Sequence, residues 1–563
     1  MLSAFRQLLA EFLPRILSQC CRDPNSPAYG CFDRNFWHYR MRDFASIILQ
    51  QGGYAVLQTQ KALPDGPLTE DFARSIAAGA CRFWNRRAAR HGAFEEYYPW
   101  EQGYPPLAFS TLAVAKMAAA GVCSADEIDH GLRKAARQLA TRFEPKAANQ
   151  QVAGLAALTW VRKIRPDLVS DAAFARQKDR TLALQTDEGW YWEYDGPDAG
   201  YLSVTIDCLW DLVDATGDAD FRASADRALA FLHRVIALPG RGLGMLNARN
   251  TDYVVPYGIA RYLNDGTAEQ KRAAAELLQT LYANLASPNH FFRAVDDRYL
   301  CHYIGHSIAR AITELEKASL REAGGPVGTS PCAAPLREGG CRGAAGGSSS
   351  PFLDVLPLAG YVHAHLDSGL DVFLALRKGG CLRVVKGDDF ALDFGWIVKS
   401  GKKQYVSHWW SKDWQIDLSS IPPSSHLAPL PSTLSPITIR GPLVPHKEPN
   451  STPFKHIGLR AVSFLFGKSL IGLLKNVLIF KKAKSPYTFE RKIFIEGGIV
   501  RIEDRISGLT GNETILPAPR ASKRHVASAD SFHAEDVSLA QRVAISRETH
   551  TEAGMFSATT VFS

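Results

Sequence analysis

The residues best suited to chemistry lie in one short loop, DEGWYWEYDGPDAGY, which spans 187–201. It mixes aromatic rings with carboxylates, although a core would not tolerate the carboxylates and a plain surface would not need the rings. Ring faces cover the C–H face of a pyranose and polar groups hold its hydroxyls, so this composition is typical of a saccharide site. The competing interpretation is local packing and helix capping. The candidate substrate-binding residues here are Trp190, Trp192, Glu193, Tyr194 and Asp198.

Three further loops contain the same mixture of rings and polar groups, namely GCFDRNFWHYRMRDF, EEYYPWEQGYPP and NARNTDYVVPYG. If helices bring these loops to one face, they surround a single funnel, and their recurrence favours a shared cleft over separate packing. They add the candidate substrate-binding residues Asp33, Arg34, Trp37, Tyr98, Glu101, Asn250, Tyr253 and Tyr257.

Helices must position these loops. From about 40 to 317, apolar residues recur at helical spacing in roughly ten segments, separated by short breaks with Gly, Pro, Asp or Ser. Segments such as 126–143 have a charged face, whereas 149–163 and 203–214 are apolar nearly all round and need other helices around them. This alternation predicts an (α/α) toroid. A helical solenoid is the alternative, but the chain has no clean repeat of fixed length.

The pattern changes after the helical part. A segment rich in Gly, Ala, Ser and Pro predicts a disordered linker, and the period then becomes two, which predicts an antiparallel β-sandwich. LRAVSFLFG and KNVLIFKK are among the expected strands, and 417–455 is an expected loop. The predicted organisation is an N-terminal helical extension (1–30), a toroid domain (31–317), a linker (318–350), a β-sandwich (351–515) and a weakly patterned C-terminal tail (516–563).

Composition excludes several other functions. The net charge of +8 is mild for 563 residues, and no basic run with interleaved aromatics indicates nucleic-acid binding. The N-terminus has no continuous apolar region typical of a signal peptide, and no apolar run predicts a transmembrane segment. The ten cysteines form no CxxC pair, so we expect mostly free thiols and a cytoplasmic protein.

No metal or cofactor is expected. His302 and His306 have the i, i+4 spacing that could bind a metal ion. Neither an HExxH motif nor a third ligand accompanies them, so helix packing explains the pair better.

A helical domain with NQQVAGLAAL, EGWYWEYDGPDAGYLS and NARNTDYVVPYG, followed by a β domain, resembles the heparinase II/III-like polysaccharide lyases. The resemblance covers about residues 30–317, and the β domain matches mainly in architecture. Members of that family cleave uronic-acid polysaccharides by β-elimination. An Asn or Gln, often with His or Arg, neutralises the uronate carboxylate, and a Tyr serves as base and acid. The resemblance therefore implies an anionic polysaccharide or oligosaccharide as substrate.

The same resemblance implies that Asn149 is the carboxylate neutraliser, Tyr201 the catalytic Tyr and Arg249 a further substrate contact. The reference pKa of a Tyr is about 10, so a nearby cation such as Arg249 helps it act as a base. The chain departs from the family in having Gln150 where a His is common. The family's His from the β domain has three candidates, His363, His365 and His408.

Two other functions fit the same residues. A glycoside hydrolase would use two carboxylates as acid and base, Glu193 or Asp198 together with Glu101. A non-catalytic saccharide-binding protein in polysaccharide biosynthesis would bind without turnover. The product separates these hypotheses, because only a lyase leaves an unsaturated uronide that absorbs in the near ultraviolet.

Overall fold

The structure is a computed structural model. It describes the whole chain apart from residues 92–93, 237–242, 288–289, 324–349, 388, 420–427, 431–434, 447–451, 475–484, 497 and 520–542. The helices are α1 Leu2–Gln19, α2 Arg34–Trp37, α3 Gln51–Ala62, α4 Glu70–His91, α5 Tyr104–Ala119, α6 Asp129–Thr141, α7 Ala148–Ile164, α8 Asp171–Leu182, α9 Ala199–Thr216, α10 Ala219–Val235, α11 Tyr257–Asp265, α12 Ala268–Tyr282, α13 Asp297–Tyr299, α14 Gly305–Ala323 and α15 Pro453–Leu474.

Within the described residues, six helices contact one another in a closed ring. α3 contacts α5, α5 contacts α7, α7 contacts α9, α9 contacts α11, α11 contacts α14, and α14 returns to α3. α4, α6, α8, α10 and α12 pack outside this ring. The inner helices α5, α7 and α9 are buried on nearly all sides because their sequences are apolar all round. The ring is the inner layer that the predicted (α/α) toroid requires.

The segment expected to be an N-terminal extension is part of this helical body. Phe5, Leu8, Phe12 and Ile16 of α1 are buried in the main apolar core, and α1 contacts α3 and α14. Their spacing places them on one face, so α1 covers the ring from outside as the other outer helices do.

The strands are β1 Phe352–Leu356, β2 Tyr361–His365, β3 Asp371–Ala375, β4 Cys381–Lys386, β5 Asp389–Asp393, β6 Trp396–Ser400, β7 Lys403–Val406, β8 Gln415–Asp417, β9 Ala428–Pro429, β10 Ile437–Pro442, β11 Val444–His446, β12 Thr488–Glu496, β13 Ile499–Ser507, β14 Thr514–Pro517, β15 Ile545–Glu552 and β16 Met555–Phe562. In the described part of the chain they form three sheets, with orders β5-β4-β3-β2-β1-β9, β15-β16-β13-β12-β10-β8 and β11-β7-β6-β14. Every adjacent pair is antiparallel, for example Leu353 opposite Ala364 in β1 and β2. Antiparallel pairing is confirmed, and the sandwich stays a prediction.

Two expectations about the β region were wrong. LRAVSFLFG is helical and belongs to α15, because an unbroken apolar run does not separate strand from helix and Pro453 is well suited to the first helical position. KNVLIFKK lies outside the described residues. The expected loop 417–455 contains β10, where Ile437 and Ile439 alternate with more exposed residues. This short alternation is hidden among Pro and Ser residues.

The boundaries at the linker and at the C-terminus also differ from expectation. Residues 318–323 continue α14, and 324–349 lie outside the described residues. The expected tail forms β15 and β16, and β16 pairs with β13 along its length. Phe556, Ala558 and Phe562 alternate towards the core, a period-two pattern that the small residues between them obscure.

The model also bears on the membrane and on the thiols. Among the described residues, no helix combines the length and the apolarity needed to cross a bilayer. Eight cysteines fall within the described part of the chain, and all are buried free thiols.

Candidate functional site

Asp198 ties the start of α9 to the loop that carries Arg249. Its Oδ1 accepts the N–H of Tyr201 at 3.0 Å, and its Oδ2 accepts the N–H groups of Arg249 at 3.2 Å and Thr251 at 3.4 Å. Gly200 permits this approach, since a Cβ there would lie 2.3 Å from Thr251 Cγ2. Burial raises the pKa of Asp198 to about 6. Because both oxygens accept backbone N–H groups, Asp198 positions the two candidate residues.

Glu193 joins the same loop to the start of α7. Its Oε1 accepts the backbone N–H of Asn149 at 2.6 Å, and the residue forms a β-bridge with Ala147. Its Oε2 is buried without a hydrogen-bond partner among the described residues. Burial raises the pKa of Glu193 well above its ordinary value, and the charge of Arg249 partly counteracts that shift. Glu193 therefore has one carboxyl oxygen that no described group binds.

Arg249 is a fully buried cation without a polar partner. Its exposed fraction is 0%, and within the described chain none of its three guanidinium nitrogens makes a hydrogen bond. Its Cζ lies 4.0 Å from the centroid of the Tyr194 ring. The Tyr194 hydroxyl in turn lies 3.4 Å from Gln150 Nε2. Gln150 Oε1 is buried and has no hydrogen-bond partner among the described residues. Arg249, Glu193 and Gln150 therefore surround Tyr194 with unused hydrogen-bonding capacity.

A group of tyrosines lies beside Tyr201. The hydroxyls of Tyr253 and Tyr303 share a hydrogen bond. Burial raises the pKa values of Tyr253, Tyr299 and Tyr303, and the nearby Tyr201 contributes to the rise. His302 packs on this group, with its ring centroid 5.2 Å from that of Tyr299. Burial and then Arg298 lower the pKa of His302 well below its ordinary value, so the imidazole is neutral.

The β domain holds this region in place through Lys378 and Trp410. The fully buried Lys378 Nζ donates to the carbonyls of Met245 and Asn247, each at 2.6 Å, and to Asn250 Oδ1. Trp410 Nε1 donates to the carbonyl of Asp195 at 3.1 Å. The candidate residues therefore lie where the helical ring meets the β domain.

The two Trp residues of the first loop have different environments. Trp190 is 1% exposed, packs edge-to-face on Trp192 and donates through Nε1 to Glu188, so it serves the core. Trp192 is half-buried, with Lys412 Nζ 4.2 Å from its ring centroid. The competing interpretation, packing under the loop, describes Trp190.

The loop of Asp33, Arg34 and Trp37 is explained by local structure. Asp33 caps α2 and accepts the N–H of Ser46 at 2.8 Å. Trp37 Nε1 donates to the carbonyl of Gln19 at 2.7 Å, and the Arg34 guanidinium lies over the ring of a neighbouring Tyr. None of these contacts joins this loop to Tyr201 or Arg249, so its part in a cleft stays a prediction.

Glu101 and Tyr98 also have local roles. Glu101 Oε2 accepts the N–H groups of Glu96 at 2.9 Å and Tyr97 at 2.7 Å. Burial, with the neighbouring Glu96, raises the pKa of Glu101 to about 8. Tyr98 is half-buried, and burial raises its pKa. Glu101 thus shapes the turn that carries Tyr98.

Asn250 and Tyr257 occupy different positions. Asn250 has a φ of +59°, a left-handed conformation that Asn tolerates better than most residues, and it is held by Lys378. Tyr257 lies at the start of α11, where the Arg310 guanidinium stacks 3.4 Å from its ring centroid. Tyr257 therefore belongs to a charge cluster inside the ring of helices.

No protein-family model matches the chain, and the search of curated proteins found no match either. Among solved structures, it is similar over 99% of its length to a chondroitin AC lyase from Streptomyces coelicolor A3, with 9% identity, a TM-score of 0.45 and 77% of that chain covered. A family 76 glycoside hydrolase from a bovine Bacteroides thetaiotaomicron strain matches 56% of this chain and 78% of its own, with 9% identity and a TM-score of 0.35.

A third similar structure is a family 76 mannosidase from Bacteroides thetaiotaomicron VPI-5482. It covers 57% of this chain and 99% of its own, with 10% identity and a TM-score of 0.30. All three are enzymes that act on carbohydrates. Every TM-score is below 0.5 and no identity exceeds 10%, so the likeness decides neither the reaction nor the substrate.

The three candidate histidines of the β domain differ in their contacts. His363 and His365 both bind Asp371 Oδ1, at 2.9 and 3.1 Å, so their rings are fixed by the sheet. Burial, and then the charge of Lys378, lower the pKa of His408 to about 3. His408 lies near Lys378, which binds the loop of Arg249. The role of each as a catalytic His stays a prediction.

Sequence reasoning missed two residues of this region. The sequence suggested metal binding or, better, helix packing for His302, and its place beside the tyrosines depends on a local π-helix at Leu300–Ile304 that no sequence motif indicates. Lys378 was not singled out. It stands in an ordinary RKGG turn, and nothing local predicts that its ammonium group is buried against another domain.

Proposed function

We propose that the chain is a polysaccharide or oligosaccharide lyase that acts on uronate residues by β-elimination. The observation that carries this proposal is the fully buried Arg249, whose guanidinium has no polar partner in the described chain. A buried guanidinium without hydrogen bonds costs several kcal/mol, so we infer that an anionic ligand binds it. The carboxylate of a uronate supplies that charge, and its planar geometry suits a guanidinium fork.

Two buried carboxyl groups, those of Asp198 and Glu193, interact electrostatically with Arg249, and burial raises the pKa values of both. Asp198 uses both oxygens to bind backbone N–H groups, whereas Glu193 keeps one oxygen without a partner among the described residues. A protonated Glu193 carries no charge and donates one hydrogen bond. Together with Arg249 and the amide of Asn149, it makes a set of donors suited to a carboxylate.

In the proposed reaction, Arg249 and Asn149 hold the uronate carboxylate and lower the cost of removing the proton at C5. Tyr201 takes that proton. The C5–H electron pair forms the C4–C5 double bond, and the C4–O bond breaks. The leaving oxygen receives a proton from Tyr201, which acts first as base and then as acid.

Glycoside hydrolysis is the second candidate, and Glu193 favours it. A buried carboxyl group with a raised pKa and a free oxygen is what a general acid requires. Hydrolysis also needs a second carboxylate. Asp198 uses both oxygens to bind backbone N–H groups, and Glu101 Oε2 binds two. Elimination is better supported because it needs no second free carboxylate.

The test is near-ultraviolet absorbance of unsaturated uronides, with purified protein and a panel of uronate polysaccharides and oligosaccharides. Tyr201→Phe should lower kcat by about 10²–10⁴ while binding is retained. Arg249→Met should abolish uronate binding. Tyr191→Phe is the matched control, because Tyr191 lies on the same loop but its hydroxyl binds Ser224 in the core. It should retain the parent rate.

The outcomes separate the hypotheses. A rise that is lost in Tyr201→Phe and kept in Tyr191→Phe supports the lyase. New reducing ends without an absorbance rise, lost in Glu193→Gln, would indicate a hydrolase. Binding without turnover would indicate a saccharide-binding protein. Asn149, Tyr201 and Arg249 are each at most 4% exposed. A long chain can therefore reach them only if the covering segments move, so short oligosaccharides belong in the panel.

A further inference from the structure

The ring of helices contains a small cavity with charged walls. It lies between α3, α5, α9 and α14, and its volume is about 10 Å³, which is room for one water molecule or one monatomic ion. Apolar side chains form part of the wall, but Lys116, Asp207 and Asp211 line it as well. Each of these three residues is at most 8% exposed. Charges at this depth need partners, so the balance of charge around the cavity decides what it can hold.

The described cations around the cavity outnumber the ionised carboxylates. Lys116 Nζ and Arg310 Nη2 bind the same oxygen, Asp211 Oδ1, at 2.5 and 2.6 Å. Burial acts to raise the pKa of Asp211, but the charges of Arg310 and Lys116 outweigh burial and lower it, so this carboxylate is ionised. Burial raises the pKa of Asp207 to about 7. Below that pH, two cations stand against one carboxylate, which leaves an excess of one positive charge.

Helix α14 also contributes hydrogen-bonding atoms that no described residue uses. Arg310 Nη1 and His306 Nδ1 are buried without a partner in the described chain, and both side chains are at least nine-tenths buried. The two residues are four apart, so they share one face of α14. Burial, and then the charges of Arg310 and Lys116, lower the pKa of His306 well below its ordinary value. The neutral imidazole still donates from one ring nitrogen.

We propose that this cavity binds one small monovalent anion, such as chloride, through Lys116, His306 and Arg310. The anion compensates the excess positive charge and accepts the unused hydrogen bonds. A water molecule would fill the same volume but leave the charge uncompensated, and a metal cation would be repelled by the two cations. Bound there, the anion links α5 to α14 inside the ring. This site does not depend on the chemistry proposed for Tyr201 and Arg249.

Thermal melting of the full chain at pH 6 tests the proposal. Chloride replaces gluconate, an anion too large for the cavity, at constant ionic strength. The Tm should rise by about 2–5 °C and level off as the site fills. Lys116→Met removes the excess charge while Arg310 still pairs with Asp211, so this variant should lose the response to chloride. Lys271→Met is the matched control, because Lys271 is exposed on α12, and it should respond as the parent does.

Bromide locates the site directly. A crystal of the parent chain grown with bromide should show an anomalous peak at hydrogen-bond distance from Arg310 Nη1 and His306 Nδ1. Peaks confined to the protein surface, or a water molecule without anomalous signal in the cavity, would overturn the proposal. So would a Tm that chloride raises equally in Lys116→Met and Lys271→Met. If Lys116→Met does not fold, the bromide map of the parent chain decides.

Discussion

Two arginines are fully buried, Arg491 in the β domain and Arg249 in the helical domain, but their hydrogen bonding differs. Arg491 donates to both oxygens of Asp504 and to Asp393, each at 2.7 Å, and to the carbonyl of Gly380 at 2.9 Å. Arg249 has the same 0% exposure and makes no hydrogen bond through its guanidinium in the described chain. Burial alone therefore does not indicate the role of a charged side chain. Arg491 uses its hydrogen bonds to hold the fold together, whereas the hydrogen-bonding capacity of Arg249 is unused in the described chain.

The largest expected effect is the loss of the saturated cation. Arg491→Met leaves Asp393 and Asp504 buried without their main counter-charge, so we expect the free energy of unfolding to fall by about 3–5 kcal/mol. Urea unfolding, monitored by Trp fluorescence, measures the change. A loss below about 1 kcal/mol would mean that saturation of a buried charge does not indicate a structural role here.

The same substitution at Arg249 should not lower the free energy of unfolding. Arg249→Met removes a buried guanidinium that makes no hydrogen bond in the described chain, so the free energy of unfolding should stay unchanged or rise by about 1 kcal/mol. The same urea titration measures it, with uronate binding followed in parallel. If Arg249→Met destabilises the protein as much as Arg491→Met, Arg249 has a structural counter-charge and the contrast fails.

The hydrogen bonding of Arg310 is intermediate between that of Arg491 and that of Arg249. The nearby Asp207 makes the stability of this cluster sensitive to pH. Arg310 Nη2 binds Asp211 at 2.6 Å. Asp207 Oδ1 accepts the N–H of Gly258 at 2.6 Å, and burial raises the pKa of Asp207 to about 7, while Arg310 opposes this shift. The unfolded pKa is about 4, so the folded state binds this proton more tightly, and stability falls as pH rises from about 4 to 7.

Asp207→Asn should flatten that dependence. Melting temperatures of the parent chain and the variant, measured between pH 4.5 and 7.5, give the comparison. The parent should lose more stability than Asp207→Asn as pH rises. Parallel curves would show that Asp207 does not titrate in this range.

The smallest effect is expected at an exposed pair. Arg440 binds Glu490 on neighbouring strands, but the Arg440 side chain is 58% exposed. Arg440→Ala should cost about 0–1 kcal/mol, because water screens the pair and replaces its hydrogen bonds. Urea unfolding of Arg440→Ala and Arg491→Met, measured side by side, compares the two losses of unfolding free energy. If the two losses are equal, burial does not explain why Arg491 stabilises the protein.

The helical architecture was predictable because α7 and α9 are apolar on all sides, which forces other helices around them. The β region was harder. α15 was mistaken for strands since an apolar run carries no period, and β16 was missed because Ser, Ala and Thr separate its buried residues. In the β region the period is lost where a run is continuously apolar or where small residues separate the buried ones.

The candidate site shows the same division. Asn149, Tyr201 and Arg249 come from three separate segments, and the structure joins their backbones through Glu193 and Asp198. The residue types were readable from the sequence. The burial of Arg249 and the absence of a partner for it in the described chain were not, because both depend on long-range packing. Composition predicts which residues can do chemistry, and tertiary structure decides which of them retain unused hydrogen bonds.

The contact of Lys378 with the loop 245–250 has a consequence for how this chain can be divided. The helical domain alone would keep Arg249 in its sequence but lose the ammonium group that organises the turn around it. It is therefore not a portable module: grafting it onto another β domain, or producing residues 1–323 alone, should yield a folded ring with an unformed loop. An exchange of domains between related proteins would have to carry this lysine and its turn together.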